Sequence, residues 1–110
     1  MQVLKFIVNG ETITIDPTCD LTGLFPGSEE PIKAEFTFSS EWKSRIKVVS
    51  IWSIMDKEYE PQVINEDNSC LISSEATDKM AFKVQVLGGK RNSPIVRTNK
   101  VTIYQLGRKR

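Results

Sequence analysis

The stretch Ile32-Lys33-Ala34-Glu35-Phe36-Thr37-Phe38 decides the fold. Ile32, Ala34, Phe36 and Phe38 share one parity and Lys33, Glu35 and Thr37 the other, the period-two signature of a β-strand with one dry face. Nowhere does the chain show a helix-length apolar stripe at 3.6-residue spacing, so strands must build the layers.

Upstream, Leu4, Phe6 and Val8 alternate with Lys5 and Ile7, Asn9-Gly10 interrupts, and Thr12 to Ile15 follows with strand-favouring side chains. Asn-Gly is the preferred pair for a two-residue type I′ turn, where both positions must accept positive φ, so a hairpin turning on Asn9-Gly10 is expected. Asp16-Pro17 ends it. Leu21 to Pro31 holds two prolines and two glycines and reads as a loop that tucks Leu24 and Phe25 under the domain.

Downstream, Ile46 to Met55 is apolar on both parities, which predicts a central strand covered on two faces. Asp56-Lys57 turns it, and Tyr59 to Ile64 is a short partner whose Pro61, lacking a donor, belongs at an edge or strand start. Asn65 to Asn68 is a turn and Cys70-Leu71-Ile72 a brief strand. Ser73 to Lys79 has the composition of one helical turn, with Ser73 or Ser74 as cap and Glu75 near its positive end. Met80, Phe82, Val84 and Val86 form a strand pairing with the run around Val101 and Ile103, and Gly88-Gly89 begins the intervening loop through Pro94. Together these features predict an all-β fold, an antiparallel β-sandwich (Ig-like or jelly-roll-like) or a partly closed barrel. It should have about six to eight short strands and at most one short helical turn. The 110-residue length fits a single domain over 1–107 followed by a basic tail at 108–110.

The chain contains no histidine, which removes the usual zinc ligand, the usual general base near neutral pH and the centre of any Ser-His-Asp device. Catalysis therefore ranks last, and no cofactor or metal is expected. The longest nearly apolar run, Val48 to Met55, is eight residues, against the ~18–20 a bilayer span needs. Membrane association is not expected. Met1 to Val8 is too short and interrupted for a secretory signal, so synthesis in a cytoplasm is the default, and Cys19 and Cys70 are a normal complement for a reduced compartment.

Fifteen basic and fourteen acidic residues nearly cancel, but they are segregated along the chain. All fourteen acids lie in the first 78 residues with six bases, while Lys79 to Arg110 holds nine bases and no acid. A basic surface for an acidic partner is one reading. The preferred one is neutralisation across strands, with Lys83, Arg97 and Lys100 facing carboxylates from earlier strands. Direct nucleic-acid binding is not favoured. Self-assembly through acidic and basic faces is a third reading.

Other motifs have structural explanations that outweigh the chemical ones. Glu29-Glu30, or Asp56, Glu58 and Glu60, could supply a glycosidase pair, yet nothing marks any of them as desolvated. Asp67 between Glu66 and Asn68 lacks the ligand spacing of a calcium loop. Gly88-Gly89-Lys90-Arg91-Asn92 could cradle a phosphate, but a hairpin loop with positive φ at glycine and charge at its tip accounts for it. Among Trp42, Trp52, Tyr59 and Tyr104, a possible platform for sugar rings, Trp52 is expected in the core and Tyr104, on the polar parity of its strand, is the exposed candidate.

Phe36-Thr37-Phe38-Ser39-Ser40-Glu41-Trp42, Cys70-Leu71-Ile72, Phe82-Lys83-Val84-Gln85-Val86-Leu87-Gly88-Gly89, Arg97-Thr98-Asn99-Lys100-Val101 and Tyr104-Gln105-Leu106-Gly107 occur in that order. The set, spanning about residues 32–107, resembles small β-sandwich domains in virion proteins of tailed bacteriophages and prophages of Gram-positive and gut bacteria. Those domains occur in baseplate, tail-fibre and head-fibre components. Lys43-Ser44 stands where Asp-Gly often follows the tryptophan, and Ser73 where proline often follows the cysteine triplet. The resemblance implies a non-enzymatic structural or adaptor subunit of the virion, joined to other phage structural proteins or to copies of itself in a symmetric assembly. Candidate contact residues are Lys90, Arg91, Tyr104, Arg108, Lys109 and Arg110. A host-glycan-binding module and a phage-encoded inhibitor of a host nucleic-acid enzyme are the alternatives.

Overall fold

Alternation in the first strands places their side chains as expected, with one shift of register. In the computed structural model, which describes residues 2–27 and 31–105, β1 (Gln2–Asn9) buries Leu4, Phe6 and Val8 and exposes Lys5. β2 (Thr12–Ile15) returns antiparallel, pairing Asn9 with Thr12 and Val8 with Ile13. The turn residues are therefore Gly10 and Glu11, not Asn9 and Gly10. Positive φ falls on Gly10 alone (60°), the pattern of a type II′ turn. Turning on Asn9-Gly10 would have set Glu11 opposite the buried Val8; the observed register puts Ile13 there, and burial outweighs turn preference.

β3 (Ile32–Phe38) lies beside β1 in parallel, Gln2 with Ile32 through Val8 with Phe38. This corrects the expectation of antiparallel pairing throughout. The segment between β2 and β3 is long enough to carry the chain back to the starting end of β1, as a parallel neighbour requires, and it buries Leu24 on the way while Phe25 stays half-buried. Parallel register sets Phe6 beside Phe36 with ring centroids 5.3 Å apart, and the row continues through Phe38 to Trp42 at 5.7 and 5.4 Å. β6 (Ser69–Leu71) completes the first sheet in the order β2-β1-β3-β6.

The second sheet contains β4 (Ile46–Ser53), β5 (Gln62–Val63), β7 (Ala81–Gly89), β8 (Val96–Arg97) and β9 (Val101–Tyr104). β4 lies between β5 and β7, and both β8 and β9 pair with β7. Val49, Ile51, Phe82, Val84, Val86 and Ile103 point at the first sheet and are buried. β4 is central in its sheet, as expected, but its outer face is covered only in part, at Ser50. With two layers in the domain, Ile46 is left 69 % exposed, and Val48 and Trp52 are half-buried on the outside. Trp52 is thus not a core residue. The buried indole is Trp42, on a 3-10 turn over Ser40–Trp42, with its Nε1 donating to the Gly10 carbonyl at 2.8 Å.

Trp42 also explains a glycine. A Cβ on Gly88 would lie 2.6 Å from Cζ3 of that indole, so only glycine lets β7 pass. Gly88 and Gly89 belong to β7 rather than to the following loop, and the left-handed residue in that loop is Asn92 (φ 61°). Met80, expected to begin the inward row, lies outside β7 and is 68 % exposed.

The return strand is split into β8 and β9 at Thr98. Its hydroxyl accepts the Val86 N–H at 3.0 Å and donates to the Asn99 carbonyl at 2.8 Å, a side chain standing in for a ladder position. Ser73 caps the four-residue α1 (Ser74–Thr77) by accepting the Glu75 N–H. With the 3-10 turn this makes two short helical turns where at most one was expected. Nine strands are described, β5 and β8 being two-residue pairings, and the all-β sandwich-like fold is as read from the sequence. Cys19 and Cys70 are free thiols, and burial pushes the Cys70 thiol up to about 11.

Candidate partner-binding site

The uncovered face of the second sheet carries a groove. β4 sends Ile46, Val48 and Ser50 outward, β7 contributes Leu87 and Gly89, and the neighbouring segments add Pro61 and Ile95, enclosing about 630 Å³. Leu87 is the ladder partner of Val48, so the two form a half-buried floor. Gly89 would have open space around a Cβ, and its lack of a side chain keeps the groove clear. At the rim Ile46 is 69 % and Ile95 59 % exposed. These side chains make the groove the candidate contact surface of the sheet.

Arg45 braces the loop beside the groove. Its Nη1 donates to the carbonyls of Gly88 and Pro94 at 3.4 and 3.3 Å, and the Ser93 N–H closes a turn on the Lys90 carbonyl at 3.1 Å. The braced loop presents Lys90 and Arg91 at the groove, and among the described residues Glu58 is the one carboxylate that lines it. Apolar area, two cations and one carboxylate suit holding a partner. The hydroxyls in the lining, Ser44 and Ser50, come without an imidazole, since the chain has none.

Charges farther along the same sheet are spent on one another. Asp56 receives the Lys83 ammonium at 2.9 Å and that of Lys100 at 3.5 Å. The Lys83 hydrogen bond, then the charges of Lys83 and Lys100, hold its carboxyl below the usual carboxylate range. Lys100 Nζ also sits 3.6 Å from the Trp52 ring centroid, and the Trp52 Nε1 donates to Gln85 Oε1 at 3.2 Å. Lys83 and Lys100 are thus neutralised as expected, but by a carboxylate in the turn after β4 rather than on a strand. Among the described residues Arg97 has no carboxylate at ion-pair distance.

The structure brings Lys90 and Arg91 together and leaves Tyr104 elsewhere. Tyr104 is 57 % exposed and pairs with Ala81, at the far end of β7 from Gly89, a separation of roughly 27 Å along a strand. Arg108, Lys109 and Arg110 lie outside the described residues, as do Leu106, Gly107 and Glu29-Glu30. The apolar lining, Ile46, Val48, Leu87, Pro61 and Ile95, was missed as a site. Its signal is the doubly apolar run Ile46 to Met55, which two-face burial explains equally well from sequence alone. Asp67 accepts from the Ser69 hydroxyl and N–H at 2.6 and 3.2 Å, which places it in the turn. Among the described residues no three His, Cys, Asp or Glu side chains gather, and no described helix is long and apolar enough to cross a membrane. No family model, curated protein or solved structure matches the chain.

Proposed function

We propose that the chain is a non-enzymatic virion component of a tailed bacteriophage, an adaptor or attachment subunit acting through protein–protein contacts at the outer-face groove. The observation that carries this reading is the groove itself: an apolar floor left open by a two-layer domain, with Lys90 and Arg91 beside it. None of the lining residues is aromatic, which favours a protein contact over stacking on a saccharide. The ordered motifs from Phe36 to Gly107 support the virion setting through their resemblance to small phage β-sandwich domains. On this reading the partners are other phage structural proteins and copies of the chain in a symmetric assembly, and the site of action is the virion, after synthesis in the bacterial cytoplasm.

The test is incorporation. Ile46→Lys changes an exposed side chain and leaves the fold intact, but puts a charge on the groove rim. Particles assembled with this variant in place of the native chain should contain far less of it by immunoblot. Full incorporation would overturn the proposal.

A further inference from the structure

From the Pro61 side to Ile95 the groove crosses the positions of β5, β4, β7 and β8, four neighbours in one sheet. Three inter-strand spacings of ~4.8 Å make it roughly 14 Å wide, the length of about four extended residues. Small-molecule sites enclose most of their ligand. This one instead leaves Ile46 and Ile95 standing open, a geometry suited to a chain segment laid over the surface.

Electrostatics select the segment. Lys90 and Arg91 line the groove, and Arg97, the ladder partner of Leu87, adds a third cation on the same face. Among the described residues none of the three pairs with a carboxylate, whereas Lys83 and Lys100 are satisfied by Asp56. Among the described residues Glu58 is the only acid in the lining. We infer that the groove binds an extended polypeptide segment in which apolar side chains alternate with carboxylates. The apolar ones rest on Val48 and Leu87, and the acidic ones meet Lys90, Arg91 and Arg97. This deepens the adaptor reading and rests on it.

The experiment is fluorescence anisotropy of the full chain with labelled synthetic peptides in which valine alternates with glutamate, lysine or serine. The glutamate peptide should bind saturably, the lysine peptide at least about tenfold more weakly, and added salt should narrow the gap. The double variant Lys90→Glu/Arg91→Glu, altering exposed side chains only, should reverse the order. Equal binding of the glutamate and lysine peptides, an order unmoved by the charge reversal, or no saturable binding would each overturn the inference. So would phosphatidylserine vesicles retaining the chain through Lys90 and Arg91 while no peptide binds, which would assign the surface to lipid. Loss of Ile46→Lys from particles together with indifferent peptides would remove this inference and leave the adaptor reading standing. Full incorporation of Ile46→Lys would remove the reading itself.

Discussion

Asn99 serves Ile13 as a neighbouring strand would: its Oδ1 accepts the Ile13 N–H at 2.8 Å and its Nδ2 donates to the Ile13 carbonyl at 3.2 Å. The two residues are 86 apart in sequence, and the pair ties the outer strand of the first sheet to the break between β8 and β9 in the second. The Asn99 N–H adds a bond to the Glu11 carbonyl at 3.3 Å. An edge strand that would otherwise offer free backbone groups is thereby occupied.

Asn99→Ala should remove both side-chain bonds and destabilise the domain by about 1–2 kcal/mol, since the site is exposed enough for water to replace part of the loss. Urea unfolding followed by tryptophan fluorescence should show a lower midpoint with an unchanged slope. An unchanged midpoint would mean that the two sheets do not depend on this link.

The neighbouring glycines of β7 should respond oppositely to a methyl group. Gly88→Ala drives a Cβ to 2.6 Å from the buried Trp42 ring and should cost about 1–3 kcal/mol as overpacking. Gly89→Ala meets nothing within 4 Å and should stay within about 0.5 kcal/mol of the native protein. Equal effects in denaturant titrations would contradict the packing described for Trp42.

These two relationships also show where reading the sequence runs out. Alternation in Leu4 to Val8, Ile32 to Phe38 and Phe82 to Val86 was legible because each strand buries one face, and parity alone then assigns the side chains. Parity fails for β4, whose two faces are both apolar, so Trp52 was assigned to the core while the buried indole was Trp42. The Asn9-Gly10 turn was displaced by one residue because a long-range gain, Ile13 against Val8, outweighed a local preference. Parallel pairing of β1 with β3, the room Gly88 leaves for Trp42 and the reach of Asn99 to Ile13 all join distant segments. No local pattern encodes them. Lys90 and Arg91 were visible as a charged loop, but their apolar floor emerges only once β4 and β7 lie side by side.

Asp56 should contribute to the acid limb of the stability profile. Its folded carboxyl titrates below the ~3.9 of an unfolded aspartate, so its contribution is complete above that value and is lost as pH falls through the folded pKa. Asp56→Asn should lower the thermal midpoint at pH 7, and the gap from the native protein should close in strong acid. The carboxylate is exposed and the effect modest. Asp16, Asp20, Glu41 and Asp67, also held low by local hydrogen bonds, should keep part of the acid limb in the variant. A gap that widens in acid would contradict the assigned sign.

The two thiols should label at different rates. Cys70 is buried with its thiol raised to about 11, whereas Cys19 is half-buried beside β1. Iodoacetamide at pH 8 should modify Cys19 first in the folded protein and both at similar rates in denaturant, as read by mass spectrometry of the peptides. Faster labelling of Cys70 in the folded state would place it at the surface.

Hydroxyl-radical footprinting of the chain, free and bound in the assembly proposed for it, tests most directly whether the outer groove is where it takes hold. Ile46, Leu87 and Ile95 should lose reactivity on binding while Met55, Met80 and Tyr104, remote from the groove, keep theirs. Protection of Met55, Met80 and Tyr104 with Ile46, Leu87 and Ile95 as reactive as in the free chain would contradict the account.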